Sequence, residues 1–161
     1  PKKFISDIFN YSEFTNKDGV MFFRAEISMR AERADFSGGR LADTDKIYNH
    51  IAENPLLKGI TFSGGEPFCQ PAPLYDLAKR IKENTKLDIM AYTGFTFEQL
   101  VEKSKTDEDV KNLLSVVDIL VDGKFILAQR SLELHFKGSR NQRIIDCKKS
   151  LETGNVVIKE L

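Results

Sequence analysis

The sequence predicts an α/β domain built on a mainly parallel sheet. Apolar runs rich in β-branched and aromatic residues alternate along the chain with segments of helical periodicity. Three of these runs end in small or polar residues that include glycine: Ser63-Gly64-Gly65-Glu66, Tyr92-Thr93-Gly94 and Asp122-Gly123. Strands separated by helices form right-handed βαβ units, so neighbouring strands run parallel. Their carboxyl ends then share one edge, and in open α/β sheets that edge is where ligands bind. The length, 161 residues, suits a single domain over 1–161.

Taken in order, the chain begins with an apolar lead-in, Phe4, Ile5, Ile8, Phe9, Tyr11 and Phe14, expected to cover one end of the sheet. Asn16-Lys17-Asp18-Gly19 is a turn signal. Residues 20–23 read as the first buried strand, continuing toward Ile27. Residues 24–34 conflict with it locally, because their composition is helix-forming yet has no apolar face. A loop is expected over 35–39. Asp43 or Thr44 then caps a helix to about residue 54, with Ile47, Tyr48 and Ile51 on one face.

The second strand, 59–62, leads through the glycine turn to a helix over 73–84 that turns Leu74, Leu77, Ala78 and Ile81 inward. A third strand is predicted over 87–92. Thr96 caps a helix through residue 101, and Asp107 begins another through 114. The fourth strand is predicted over 116–121. Residues 132–136 alternate like an edge strand, 138–143 read as a polar loop, 144–151 include a short turn or helix, and 156–158 form a last strand.

Charge and composition narrow the function. Lysine plus arginine equal aspartate plus glutamate at 24 each, so net charge implies no nucleic-acid face. No apolar run approaches the roughly 18 residues of a membrane span. Pro1-Lys2-Lys3 opens onto a mixed segment without a secretory pattern. Two cysteines, Cys69 and Cys147, make no disulfide framework. The expected setting is the cytoplasm.

The glycine turn is the leading binding candidate. Gly64 and Gly65 let backbone groups approach a ligand without a Cβ in the way. Glu66 offers an acceptor to an amine or hydroxyl, and Pro67 stiffens the exit. Against this, Gly-Gly is common in βα turns and glutamate is mostly a solvated residue. Three strand ends in phase make a shared mouth the stronger reading.

Four segments carry a further resemblance. Gly-Ile-Thr-Phe-Ser-Gly-Gly-Glu-Pro-Phe (59–68), Tyr-Thr-Gly-Phe-Thr-Phe-Glu (92–98), Asp-Ile-Leu-Val-Asp-Gly-Lys-Phe (118–125) and Gly-Ser-Arg-Asn-Gln-Arg-Ile-Ile-Asp (138–146) follow in this order. As a set they resemble the activating proteins of anaerobic ribonucleoside-triphosphate reductases, a family within the radical S-adenosylmethionine superfamily. The resemblance implies an incomplete (β/α) barrel in which S-adenosylmethionine meets a [4Fe–4S] cluster. It places Gly64, Gly65 and Glu66 at the methionine amino group, flanked by Ser63 and Pro67, with Thr93, Gly94, Asp122 and Gly123 on the same mouth. It also implies that the reduced cluster cleaves the sulfonium to a 5′-deoxyadenosyl radical. That radical takes a hydrogen atom from a glycine of the partner, the large subunit of the anaerobic ribonucleotide reductase. Asn141-Gln142-Arg143 belongs to the same resemblance without a role that the sequence assigns.

One part of the pattern is missing. The family holds its cluster with Cys-x3-Cys-x2-Cys after the first strand, whereas residues 23–36 contain no cysteine. Cys69 and Cys147 read as buried or semi-buried structural thiols, and His50 and His135 as surface or half-buried residues. Glu26, Glu32 and Asp35 are hard oxygen donors, poorly matched to iron–sulfur. No metal ligand is therefore assigned. Natural loss of the loop and compensating frame errors both account for the gap. Engineered substitution of cysteines by Ala31 and Ala34 is the weakest of three explanations, because the loop is also shorter than the family's, which substitution does not achieve, and Ile27 stands at the third position. Two functions stay open: a radical activase, and a catalytically silent paralogue that binds S-adenosylmethionine or a partner. A plain nucleotide binder lacks support, as there is no GxGxxG or P-loop.

Overall fold

The computed structural model describes residues 3–15, 18–29 and 40–161. Its strands are β1 (Lys3–Thr15), β2 (Met21–Met29), β3 (Arg40–Asp43), β4 (Leu57–Ser63), β5 (Asp88–Tyr92), β6 (Ile119–Asp122) and β7 (Arg143–Asp146). They form one sheet in the order β3-β1-β2-β4-β5-β6-β7. The middle block, β2-β4-β5-β6, pairs in parallel as the βαβ pattern predicts. Antiparallel strands flank it, β1 and β3 on one side and β7 on the other.

The amino-terminal segment departs from expectation. It is a sheet strand rather than a cover, because the Asp18-Gly19 turn folds the chain back and pairs Thr15 with Met21 and Ile8 with Ser28. β2 runs on to Met29 through residues whose composition favours helix. Ladder partners on both sides, β1 and β4, override that weak local preference. The rest of the 24–34 run beyond β2, including Ala31, Glu32 and Ala34, and the loop predicted over 35–39 lie outside the described residues.

Among the described residues there are five α-helices: α1 (Thr44–Ala52), α2 (Pro71–Asn84), α3 (Phe97–Ser104), α4 (Glu108–Val116) and α5 (Cys147–Thr153). The starts of α3 and α4 follow the capping signals. The Thr96 hydroxyl accepts from the Gln99 N–H while the Gln99 side chain accepts from the Thr96 N–H, and Asp107 accepts from the Asp109 and Val110 N–H groups.

The carboxyl-terminal expectations fare less well. Residues 132–136 form turns and bends, with Leu132 94% exposed, because no neighbouring strand meets their alternation. The strand sits instead at β7, four residues that read from sequence as the end of a loop and the start of a helix. Of 156–158, only Ile158 pairs, in an isolated bridge to Ile145.

Strand alternation sorts the sheet into two unlike faces. Ile60, Phe62, Ile89, Ala91 and Leu120 pack with Leu74, Leu77, Ile81, Leu100 and Leu113 in one apolar core beneath the helices. On the other face Arg24, Thr61, Met90, Ile119 and Val121 are buried outside that core. Here Arg24, 1% exposed, donates from Nε to Thr61 Oγ1 at 2.9 Å and from Nη2 to the Ile60 carbonyl at 2.7 Å. Its guanidinium also meets Asp88 Oδ1 at 2.5 Å, off the hydrogen-bond direction. Gly59 makes this approach possible, since a Cβ there would stand 2.2 Å from Asp88 Oδ1. No helix among the described residues is long and apolar enough to cross a membrane.

Candidate functional site

The carboxyl ends of β4, β5 and β6 meet around a cleft of about 270 Å³. Gly64 and Gly65 form its β4 side, Tyr92, Thr93 and Gly94 its β5 side, and Gly123, Phe125 and Gln142 close it. Gly64 and Gly65 have φ of 64° and 33°, a conformation that strains residues with a side chain. Five of the residues picked from sequence, Gly64, Gly65, Thr93, Gly94 and Gly123, therefore line one mouth.

The other four stand behind it. Glu66 caps the short 3₁₀ turn Pro67–Cys69 by accepting the Phe68 N–H at 3.0 Å. The same carboxylate accepts the Thr93 hydroxyl at 2.9 and 3.0 Å and the Gly94 N–H at 2.8 Å. A carboxylate offers about four acceptor positions, so these donors occupy most of its capacity. Glu66 thus fastens the β4 turn to the β5 turn. Pro67 is buried beside it. The Ser63 hydroxyl donates to Glu26 Oε1 on β2 at 2.8 Å.

Asp122, 1% exposed, turns its carboxylate away from the cleft lining. Its oxygens accept from Arg143 Nε at 3.1 Å, Arg143 Nη2 at 2.5 Å and the Phe97 N–H at 2.8 Å. The last contact places the anion at the start of α3, where the helix dipole favours negative charge. Arg143 also donates to both oxygens of Glu98, at 2.8 and 2.9 Å. The hydrogen bond to Asp122 is the main reason that the guanidinium holds its proton more firmly than usual; burial opposes this, and the bond to Glu98 adds to it.

The structure gives Asn141-Gln142-Arg143 its role. Asn141 Nδ2 donates to the Lys124 carbonyl at 2.8 Å, Gln142 Nε2 to the Gly123 carbonyl at 3.0 Å, and Arg143 to the Asp122 carboxylate. Three consecutive side chains hold three consecutive residues in reverse order, extending the Asp122–Arg143 register of the β6–β7 pair. Gln142 is itself anchored, its Oε1 accepting the Gly138 and Ser139 N–H groups at 2.8 and 3.2 Å. Gln142, Phe125 and Tyr92 are the lining residues that sequence reasoning left unassigned. Tyr92 stood in a recognised strand end, and the polar run at 141–143 was a signal without a known partner. Burial, and then the charge of Glu26, push the Tyr92 phenol up to about 12.

The thiols are unlike one another. Cys147 is buried, donates Sγ–H to the Leu114 carbonyl at 3.6 Å, and is pushed up to about 12, chiefly by burial. Cys69 is exposed, contrary to the semi-buried position expected, because the 3₁₀ turn ends there at the surface. His50 and His135 are exposed. A [4Fe–4S] centre takes cysteine thiolates. This chain has two cysteines, one of them held protonated inside the core, and among the described residues no three His, Cys, Asp or Glu side chains are grouped to hold a metal. The donor set does not fit the cluster.

A parallel α/β sheet with a glycine-lined cleft at its carboxyl edge defines a class, and comparison with known proteins narrows it. The family model described as a 4Fe-4S single cluster domain matches residues 27–145. The anaerobic ribonucleoside-triphosphate reductase-activating protein of Vibrio cholerae is 37% identical over 105 residues, 62% of this chain and 63% of its own length. The protein of that name from Haemophilus influenzae is 33% identical over 116 residues, 68% of this chain and 71% of its own. That of Escherichia coli K12 is 28% identical over 103 residues, 61% and 62% of the two lengths. The chain belongs to the family of anaerobic ribonucleoside-triphosphate reductase-activating proteins.

Proposed function

We propose that this chain is a single-domain member of the activase family that binds S-adenosylmethionine in the cleft and associates with the large subunit of an anaerobic ribonucleotide reductase in the cytoplasm. Its own residues supply no cluster site, so binding is the retained chemistry. The observation that carries this is the cleft itself, where Gly64-Gly65, Thr93-Gly94 and Gly123 converge at the carboxyl edge of three parallel strands. Helices on one face and buried polar residues on the other support reading the sheet as an incomplete (β/α) barrel. The radical activase reading keeps the support of the match across residues 27–145. It requires cluster ligands that these residues do not make.

Anaerobic iron–sulfur reconstitution, followed by iron analysis and calorimetric titration with S-adenosylmethionine, separates the two. A folded chain that takes up no iron and still binds S-adenosylmethionine is the expected outcome. About four irons per chain with a charge-transfer band would restore the activase reading. Absence of both iron and binding would overturn the cleft as a cofactor site.

A further inference from the structure

Three carboxylates stand behind the residues that line the cleft, and two of them each accept several donors from the chain. Glu66 is held by Thr93, Gly94 and Phe68, and Asp122 by Arg143 and the Phe97 N–H. Glu26 differs. It lies on the polar face of the sheet, opposite Thr61 of β4, which is opposite Met90 of β5. Ser63 and Tyr92 are each two residues further along and so share that face. Ser63 Oγ donates to Glu26 Oε1 at 2.8 Å. Tyr92 lines the cleft.

The cation nearest in sequence on this face is Arg24, and it is committed elsewhere, to Thr61, the Ile60 carbonyl and Asp88. Ser63 is thus the hydrogen-bond donor that the described residues give to Glu26. With one hydroxyl donor among the described residues, this partly buried carboxylate keeps acceptor capacity, and in a site of reduced dielectric its attraction for a cation is strengthened.

We infer that Glu26, seated by Ser63 behind Tyr92, reads the positive charge of the S-adenosylmethionine proposed for the cleft, at its sulfonium or its ammonium centre. The inference rests on the cleft being the ligand site, as proposed above. It adds a recognition residue from β2, a strand that contributes nothing to the glycine turns.

The test is calorimetry on the full chain with three probes. S-adenosylmethionine carries both cationic centres, S-adenosylhomocysteine the ammonium alone, and 5′-methylthioadenosine neither. Glu26→Gln keeps the shape and the acceptor for Ser63. It is expected to weaken S-adenosylmethionine binding about tenfold, the scale of one lost charge-assisted contact, and to leave methylthioadenosine unchanged. Glu26→Asp, which keeps the charge, should recover part of the loss. The homocysteine probe assigns the centre: weakened together with S-adenosylmethionine it indicates the ammonium, unaffected it indicates the sulfonium. An unchanged affinity for S-adenosylmethionine, or an equal loss for methylthioadenosine, would overturn the role of Glu26 and leave the cleft reading standing. Failure of the unsubstituted chain to bind any probe would overturn both.

Discussion

Arg143→Met tests whether the 141–143 run is what fixes the cleft's far wall. The substitution keeps a long side chain and removes the donors that meet both oxygens of Asp122. Asp122 is 1% exposed and would keep the Phe97 N–H as its remaining partner. Removing one partner of a fully buried pair costs about 3–5 kcal/mol. The Arg143 side chain is 34% exposed, so water reaches that side and the expected loss falls to about 2–3 kcal/mol. For a chain of this length that corresponds to roughly 5–10 °C in Tm. Glu98→Gln is the internal control: its side chain is 58% exposed, and loss of its ion pair should stay within about 0.5 kcal/mol. Urea unfolding of both variants, read by circular dichroism, gives the comparison. If Arg143→Met costs no more than Glu98→Gln, the buried carboxylate does not depend on the guanidinium, and the account of this wall is wrong.

Three further outcomes are expected. Glu66→Gln sets an amide donor against the Phe68 or Gly94 N–H, and should destabilise the chain by about 1–3 kcal/mol in the same unfolding assay. Native protein should release one equivalent of thionitrobenzoate from Ellman's reagent, from exposed Cys69, and two after denaturation, when Cys147 is freed. Raised pKa values for buried Cys147 and half-buried Tyr92 mean that the unfolded chain releases these protons first as pH rises. Their stabilising effect is complete below the ordinary thiol value and is lost from about 9 toward 12. Cys147→Ala should remove up to one proton's share of that alkaline slope, about 1.4 kcal/mol per pH unit; an unchanged slope would contradict the burial assignment.

Much of the chain's local logic is legible without coordinates. The strand over 59–62, the helix starts at Thr96 and Asp107, and the inward face Leu74, Leu77, Ala78 and Ile81 all follow from periodicity and capping, which act over a few residues. So do the glycine turns at successive strand ends and the ordered motifs that mark the family. The antiparallel pairing at the flanks of the sheet was not legible. Residues 4–14 and 143–146 became strands, and 132–136 did not, because a ladder needs a partner distant in sequence, which local pattern does not specify.

The same divide runs through the site. Sequence determined which residue types stand at the mouth, and that cluster cysteines are absent from residues 23–36. Only the tertiary structure decided how three carboxylates near one cleft differ. Glu66 and Asp122 face donors brought from β5, α3 and β7, while among the described residues Glu26 faces one hydroxyl from β4. A carboxylate's availability to a ligand depends on which donors converge on it, and those donors lie 2 to 37 positions away along the chain.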